Sequence, residues 1–465
     1  MGGVTHLIVF LSMFSAITLM SEAQYLLAVT KDEPSRQYYT TVYIGSAAMT
    51  SPVNLLIDLG TNLTWLNCRK IKSLSTLGLV TCKSSTCKSI PGNGCDRNTC
   101  LYRQPRPLGK NTVVTTGRVV QDNATIFTTE GGQPVHIAPS RRFTFSCAVD
   151  KYLQGMAPPI AGVLALSPGE FPFWRQMTSA FNVIPKFSLC LPSSRYGYFF
   201  MGTPSLGGKK TVPMTSTTLK IDSGKYLISV RSIYVDGVPL TLDPSLLEGG
   251  AQLSTVNIGM TQTPGGHAPF KHCFGEGASG RNMDVSVMEI GLPGNGKEVK
   301  WRFQGANMME RVSETVICLA FVDGGKKPNE SMVNTAFNII PNNALASAFT
   351  RKATEIGMFE FPVSTAPFHY CFEQGASGIN MEELLNVPVI EIGIPGNGRE
   401  VKWRFHCKNT VERVLETLIC LAFVDGRNKP NESMVIGTHQ LQDYMVEFDL
   451  STTRLAVSDS LLFHN

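Results

Sequence analysis

The sequence predicts a mostly β protein built from two lobes of similar pattern, and three observations predict it. Short alternating apolar runs recur, among them RFTFSCAV (142–149), YLISVRSIYV (226–235) and YMVEFDLSTTRLAVS (444–458), each with the period of two expected of half-buried strands. Glycine, proline, serine and threonine are spread between these runs, and long helical patterns are rare. One arrangement also occurs twice: LLIDLGTNLTWL (55–66) with IAGVLALSP (160–168), then GGAQLSTVN (249–257) with MVIGTHQLQDYMVEFDL (434–450).

Taken in order, the chain opens with HLIVFLSMFSAITLM (6–20). This run is apolar, the length of a signal h-region, and too short to span a bilayer. Ser21 and Ala23 supply the small residues of a cleavage site before Gln24. Residues 1–23 are therefore expected to be a signal peptide, and the mature protein to be secreted, with no membrane span. Roughly 440 residues then remain, enough for two or three cores. The formal charge of +5 comes without a basic block, which argues against a nucleic-acid partner.

Twelve cysteines in a secreted chain point to disulfides. Cys82, Cys87, Cys95 and Cys100 follow C-x4-C-x7-C-x4-C spacing. That resembles a zinc site only loosely, so two local bridges are expected there and no metal. Sequons stand at Asn62, Asn123, Asn329 and Asn431, each an expectation of a glycosylated surface position. The eight histidines show no H-E-x-x-H spacing, and no G-x-S-x-G elbow occurs. GLPGNG and GIPGNG read as turns, since no G-K-[ST] follows. No cofactor is expected.

The second half contains a partial repeat. APFKHCFGEGASGRNM (268–283) returns as APFHYCFEQGASGINM (366–381), and EIGLPGNGKEVKWRF (289–303) returns as EIGIPGNGREVKWRF (391–405). ERVSETVICLAFVDGGKKPNESMV (310–333) returns as ERVLETLICLAFVDGRNKPNESMV (412–435). The first copy lacks TAFNIIPNNALASAFTRKATE (335–355), a segment with helix-compatible spacing at Ala344, Ala346, Phe349 and Ala353. Two copies do not make a solenoid, which needs at least three. Residues 257–333 are expected to be a surplus, helix-less copy of part of 334–435, lying outside the lobe that 334–465 fills.

With the copy set aside, VTKDEPSRQYYTTV (29–42), IDLGTNLTWLNC (57–68), FSCAV (145–149), KFSLCL (186–191), ICLAFVDG and IGTHQLQDYMVEFDL follow one another in order. Together they resemble the plant xylanase-inhibitor-like branch of the pepsin-type aspartic peptidases, which includes TAXI-type inhibitors, extracellular dermal glycoproteins and basic 7S globulins. The resemblance implies an all-β bilobal pepsin-like fold. Its parts would be an N-terminal lobe over 24–192, a linker over 193–224 and a C-terminal lobe over 225–465.

Pepsin-type catalysis needs two carboxylates close enough to share a proton, one acting as base and one as acid on a water. Asp58 can supply one, although Leu59 stands where a Thr or Ser would brace the paired loops. Asp222 in KIDSGKYL forms a literal D-S-G, but it precedes the strand Tyr226-x-x-x-Val230-x-x-Ile233-x-Val235-x-Gly237 that should come before the motif. The matching position after that strand holds Ser254. Asp58 is thus read as a remnant, Ser254 as the replacement of the second acid, and Asp222 as an ordinary turn residue. The expected flap region, 101–122, has no adjacent Tyr-Gly, and Tyr102 is expected to be packed. No catalytic residue is expected.

The resemblance further implies bridges Cys68–Cys147, Cys371–Cys420 and, inside the copy, Cys273–Cys318. Cys190 and Cys407 are left over, with a bridge between them or free thiols both open. Functionally it implies a monomeric inhibitor of secreted microbial glycoside hydrolases, xylanases or endoglucanases, in the extracellular space or cell wall, with His464 the one histidine near the end that could reach a target's carboxylates. The alternatives are an active aspartic endopeptidase using Asp58 with Asp222, a 7S-globulin-like storage or signalling protein, and a chain whose second lobe the duplication prevents from closing.

Overall fold

The computed structural model describes residues 25–33, 35–45, 50–71, 76–104, 115–130, 133–138, 141–149, 153, 156–193, 196–202 and 213–256. It describes backbone strands at 273–275, 288–294, 297–303, 309–313, 316–319 and 338–339, then residues 344–361, 368–374, 387–414, 418–424 and 433–463. The expected signal peptide, Asn329, Asn431 and His464 lie outside the described residues.

Strands β1 (Tyr25–Asp32), β2 (Gln37–Ile44) and β3 (Ser51–Asp58) form an antiparallel meander. Alternate residues of β2 are buried, as a strand with one face on a core requires. Next come β4 (Trp65–Asn67), β5 (Thr99–Gln104), β6 (Thr115–Thr125), β7 (Arg141–Ala148) and β8 (Gly162–Ala165). Strand β8 runs parallel to β3, with Ala165 opposite Asp58, and antiparallel to β4. Gly162 permits that crossing, because a Cβ there would lie 2.2 Å from the carbonyl oxygen of Trp65. Helix α1 (Phe173–Phe181) starts after Pro172, buries Phe173, Trp174, Met177 and Thr178, and ends on Asn182 at φ 52°.

Strand β9 (Lys186–Cys190) carries the chain to the junction of the lobes. The second lobe begins with β10 (Met214–Asp222), β11 (Lys225–Ile228), β12 (Ser232–Val235) and β13 (Ala251–Leu253). The stretch from Tyr226 to Gly237, expected as one strand, is two. β11 pairs with β10 and β13, whereas β12 crosses into a side sheet. Residues 229–231 lie outside the named strands at that change of sheet.

Within the repeat, β14 (Met288–Gly294) and β15 (Lys297–Phe303) form a two-stranded hairpin. The expected helix is present as α2 (Ala344–Glu355), burying Leu345, Ala346, Ala348, Phe349 and Ala353. The complete copy supplies β16 (Ile390–Pro395) and β17 (Glu400–Phe405), which join β12. Strand β18 (Met434–Ile436) runs parallel to β13, repeating the relation of β8 to β3. Helix α3 (Thr438–Leu441) leads to β19 (Met445–Asp449) and β20 (Arg454–Ser458).

The lobes are joined by antiparallel pairing in the order β9, β19, β20, β10. Phe187 stacks on Phe448 at 4.6 Å between ring centroids, with Tyr226 packed on Phe448 beside them. Arg36 of the first lobe pairs with Glu412 of the second, and Gln442 donates to the Tyr38 hydroxyl at 2.7 Å. Buried aromatic area of this kind dominates the energetics of such a junction. Disulfides join Cys68 to Cys147, Cys82 to Cys95, Cys87 to Cys100 and Cys371 to Cys420. Cys273 stands opposite Cys318 in an antiparallel ladder, while Cys190 and Cys407 are free and buried.

Candidate functional site

The two matching loops, one at the end of β3 and one at the end of β13, meet between the lobes. Asp58 closes β3 and is only 7% exposed. Its Oδ1 accepts from the Gly60 N–H at 2.7 Å, and its Oδ2 accepts from the Thr61 hydroxyl at 2.5 Å. Burial pushes the Asp58 carboxyl above the ordinary aspartate value, with the Thr61 and Gly60 hydrogen bonds opposing that shift. Both oxygens are thus engaged by the residue's own loop.

Ser254 occupies the matching place after β13 and is 6% exposed. Its N–H donates to the Ile436 carbonyl at 3.1 Å. Its hydroxyl donates to the Val256 carbonyl at 2.7 Å. The side chain that faces the first loop is therefore Thr255, whose Oγ1 accepts the Leu59 N–H at 3.0 Å. This is half of a reciprocal brace. The Leu59 side chain has no oxygen to accept a returning N–H, so the other half has no acceptor in that side chain. That Thr255 keeps one half of this brace was not anticipated from the sequence, although STVN places a hydroxyl residue directly after Ser254.

Asp222 is exposed and sits at the end of β10. Its Oδ1 accepts from the Ser223 hydroxyl at 3.0 Å. Ser223 and Gly224 have φ values of 49° and 78°, the two-residue hairpin geometry that favours glycine. Asp222 is a turn residue here. The hydrogen bonds to the Asp58 carboxylate come from Gly60 and Thr61 and include none from Asp222.

Tyr102, on β5, stands opposite Gly117 in the antiparallel β5–β6 pairing. Its buried ring packs in a cluster with Leu63, Trp65 and Val256, and its hydroxyl lies against the Leu63 backbone. Burial raises the phenol above its ordinary range. The residue fills space beside the loop. Asn62 is half-buried with its Oδ1 accepting from the Ser167 hydroxyl at 2.7 Å, and Thr64 of the same sequon is buried and accepts the Ala165 N–H at 3.0 Å. Asn123, on β6, is half-buried. No cluster of His, Cys, Asp and Glu able to hold a metal occurs among the described residues, and no described helix is long and apolar enough to cross a membrane.

Comparison with known proteins fits this geometry. Residues 38–203 match the family description "Xylanase inhibitor N-terminal", and residues 259–340 and 341–459 match "Xylanase inhibitor C-terminal". The chain belongs to the xylanase-inhibitor-like branch of the pepsin-type aspartic peptidase family. Among curated relatives, "Gamma conglutin 1" of Prunus dulcis is 28% identical over 94% of this chain and 87% of its own length. "Probable aspartic proteinase GIP2" of Nicotiana benthamiana is 27% identical over 68% of this chain and 85% of its own. The solved structure of edgp superposes with a TM-score of 0.67 at 23% identity, covering 94% of this chain and 95% of the other. Soybean basic 7S globulin superposes at 0.62 with 19% identity, covering 94% and 97%. The all-β bilobal expectation holds.

Set against the family's paired Asp-Thr/Ser-Gly loops, this chain keeps Asp58-Leu-Gly on one side and Ser254-Thr-Val on the other. One loop retains the acid and lacks the brace hydroxyl. The other retains the brace hydroxyl and lacks the acid.

Proposed function

We propose that this chain is a secreted, catalytically inactive aspartic-peptidase-like protein that inhibits microbial cell-wall glycoside hydrolases, xylanases or endoglucanases, in plant defence. The observation that carries this reading is the single carboxylate of Asp58, held by its own loop, opposite a serine. General acid/base catalysis on a water needs a second titrating group, and a serine neither shares a proton with Asp58 nor balances the charge of a tetrahedral intermediate. Four disulfides among the described residues support an oxidising compartment. The match to the xylanase-inhibitor descriptions supports a proteinaceous glycosidase target over other partners.

The purified mature chain tests the reading in a screen against microbial xylanases and endoglucanases. Dose-dependent inhibition of at least one enzyme is the expected result, and activity unchanged at excess protein across the panel would refute it. His464→Ala asks in the same assay whether the terminal histidine reaches the target. A second reading, storage or signalling of the 7S-globulin type, draws support from the gamma conglutin and basic 7S globulin relatives. It predicts abundant seed accumulation with no glycosidase inhibition.

A further inference from the structure

The chain encodes two hairpins that fit a single strand, and we infer that β12 exchanges between them. In the resident arrangement β12 pairs with β16, with Ser232 opposite Gly393, Ile233 opposite Ile392, Tyr234 opposite Glu391 and Val235 opposite Ile390. The Arg231 N–H donates to the Gly393 carbonyl at 2.8 Å. The Tyr234 hydroxyl donates to Glu400 Oε1 at 2.6 Å, and Lys402 Nζ lies 3.7 Å from the centre of the Tyr234 ring. Gly393 is required for this approach, since a Cβ there would stand 2.1 Å from Ser232 Oγ.

The β14–β15 hairpin carries the same set in the same places. Glu289, Ile290, Gly291, Glu298 and Lys300 correspond to Glu391, Ile392, Gly393, Glu400 and Lys402, and Val287 corresponds to Val389. Its internal register is also the same, with Ile290 opposite Trp301 and Gly291 opposite Lys300, as Ile392 is opposite Trp403 and Gly393 opposite Lys402. Among the described residues β14 pairs with β15 alone. The repeat begins after β12, so the chain has one such strand for two receiving edges. A bare strand edge of this kind is a template for pairing.

The 31 residues from 257 to 287 separate the hairpin from the end of the described first part of the lobe. A stretch of that size reaches several tens of ångströms, so tethering does not prevent exchange. What favours β16–β17 is its continuation. The Thr410 hydroxyl donates to the Cys407 carbonyl at 3.1 Å, and the Asn409 amide donates to the carbonyls of His439 and Gln442 at 3.0 and 2.9 Å. The partial copy keeps Asn307 but has Met308 at the threonine position. The β14–β15 pairing is therefore the minor state.

Two measurements on the full chain test this. Val235→Cys is combined with Ile390→Cys or with Met288→Cys, and bridges in oxidised monomer are mapped by peptide mass. Both pairs are expected to close, the 235–390 bridge faster; closure of 235–390 alone would overturn the proposal. In the unmutated protein, which decides the matter should a variant fail to fold, hydrogen exchange is expected to be faster in β16 than in β12, because β12 stays paired in both states. That gap should be lost when 257–333 is deleted. Equal exchange of the two strands in the full chain would overturn the proposal.

Discussion

The bond from the Leu59 N–H to Thr255 Oγ1 is the direct tie between the two active-site-like loops, and its removal has a calculable effect. Thr255→Val keeps the shape of the side chain and deletes the acceptor. Leu59 is 1% exposed and Thr255 5% exposed, so the orphaned N–H has little access to water. Leaving a buried donor unsatisfied costs about 1–3 kcal/mol. Thr255→Ser retains the oxygen and loses only a methyl group, so it should lose much less. The assay is urea unfolding followed by tryptophan fluorescence, with Trp65 and Trp174 in the first lobe, Trp403 in the second and Trp301 in the partial copy. A lowered midpoint at unchanged slope reports the stability loss. The reasoning is refuted if Thr255→Val unfolds with the wild type, or if Thr255→Ser falls as far as Thr255→Val.

Two further outcomes follow from the same geometry. The Asp58 carboxyl is raised by burial, so its contribution to stability is fully present below the unfolded aspartate value of about 3.9 and is lost as pH rises through the folded value. Asp58→Asn, which can still accept the Gly60 N–H, should be more stable than the wild type at neutral pH, with the difference shrinking toward acid; thermal unfolding across pH checks this, and a less stable variant at neutral pH would contradict it. The Cys68–Cys147 bridge closes a loop with a sequence separation of 79. Replacing both cysteines by serine should cost about 4 kcal/mol through regained freedom of the unfolded chain, read as a lowered urea midpoint.

Much of the fold was legible because strand patterns and short motifs recur in order along the chain. The turn at Asp222 sits in a local D-S-G whose residues are neighbours in the chain, whereas the roles expected of Asp58 and Ser254 rested on the family resemblance, which supplied the order of strand and motif. Helix α2 was legible from local spacing: of Ala344, Ala346, Phe349 and Ala353, the last three are buried and Ala344 is half-buried. Features that depend on docking were not. The Leu59–Thr255 bond joins residues 196 apart, and the Arg36–Glu412 pair likewise bridges the lobes, so no local pattern announces them. Four clustered cysteines allow three connectivities, and only the folded hairpin selects Cys82–Cys95 and Cys87–Cys100. The break between β11 and β12 has a mark in the sequence: Tyr226, Ile228 and Val230 are buried in one phase and Ile233 and Val235 in the other, with Arg231 and Ser232 between them at the change of sheet.

Acid proteolysis tests the central claim most directly. The purified protein, its Asp58→Ala variant and its Asp222→Ala variant are incubated with a denatured protein substrate at acid pH, with and without pepstatin. A lone carboxylate opposite a serine predicts no pepstatin-sensitive cleavage and the same background in all three proteins. Pepstatin-sensitive cleavage by the unmutated chain that disappears with either substitution would show a working pair of acids and contradict the account.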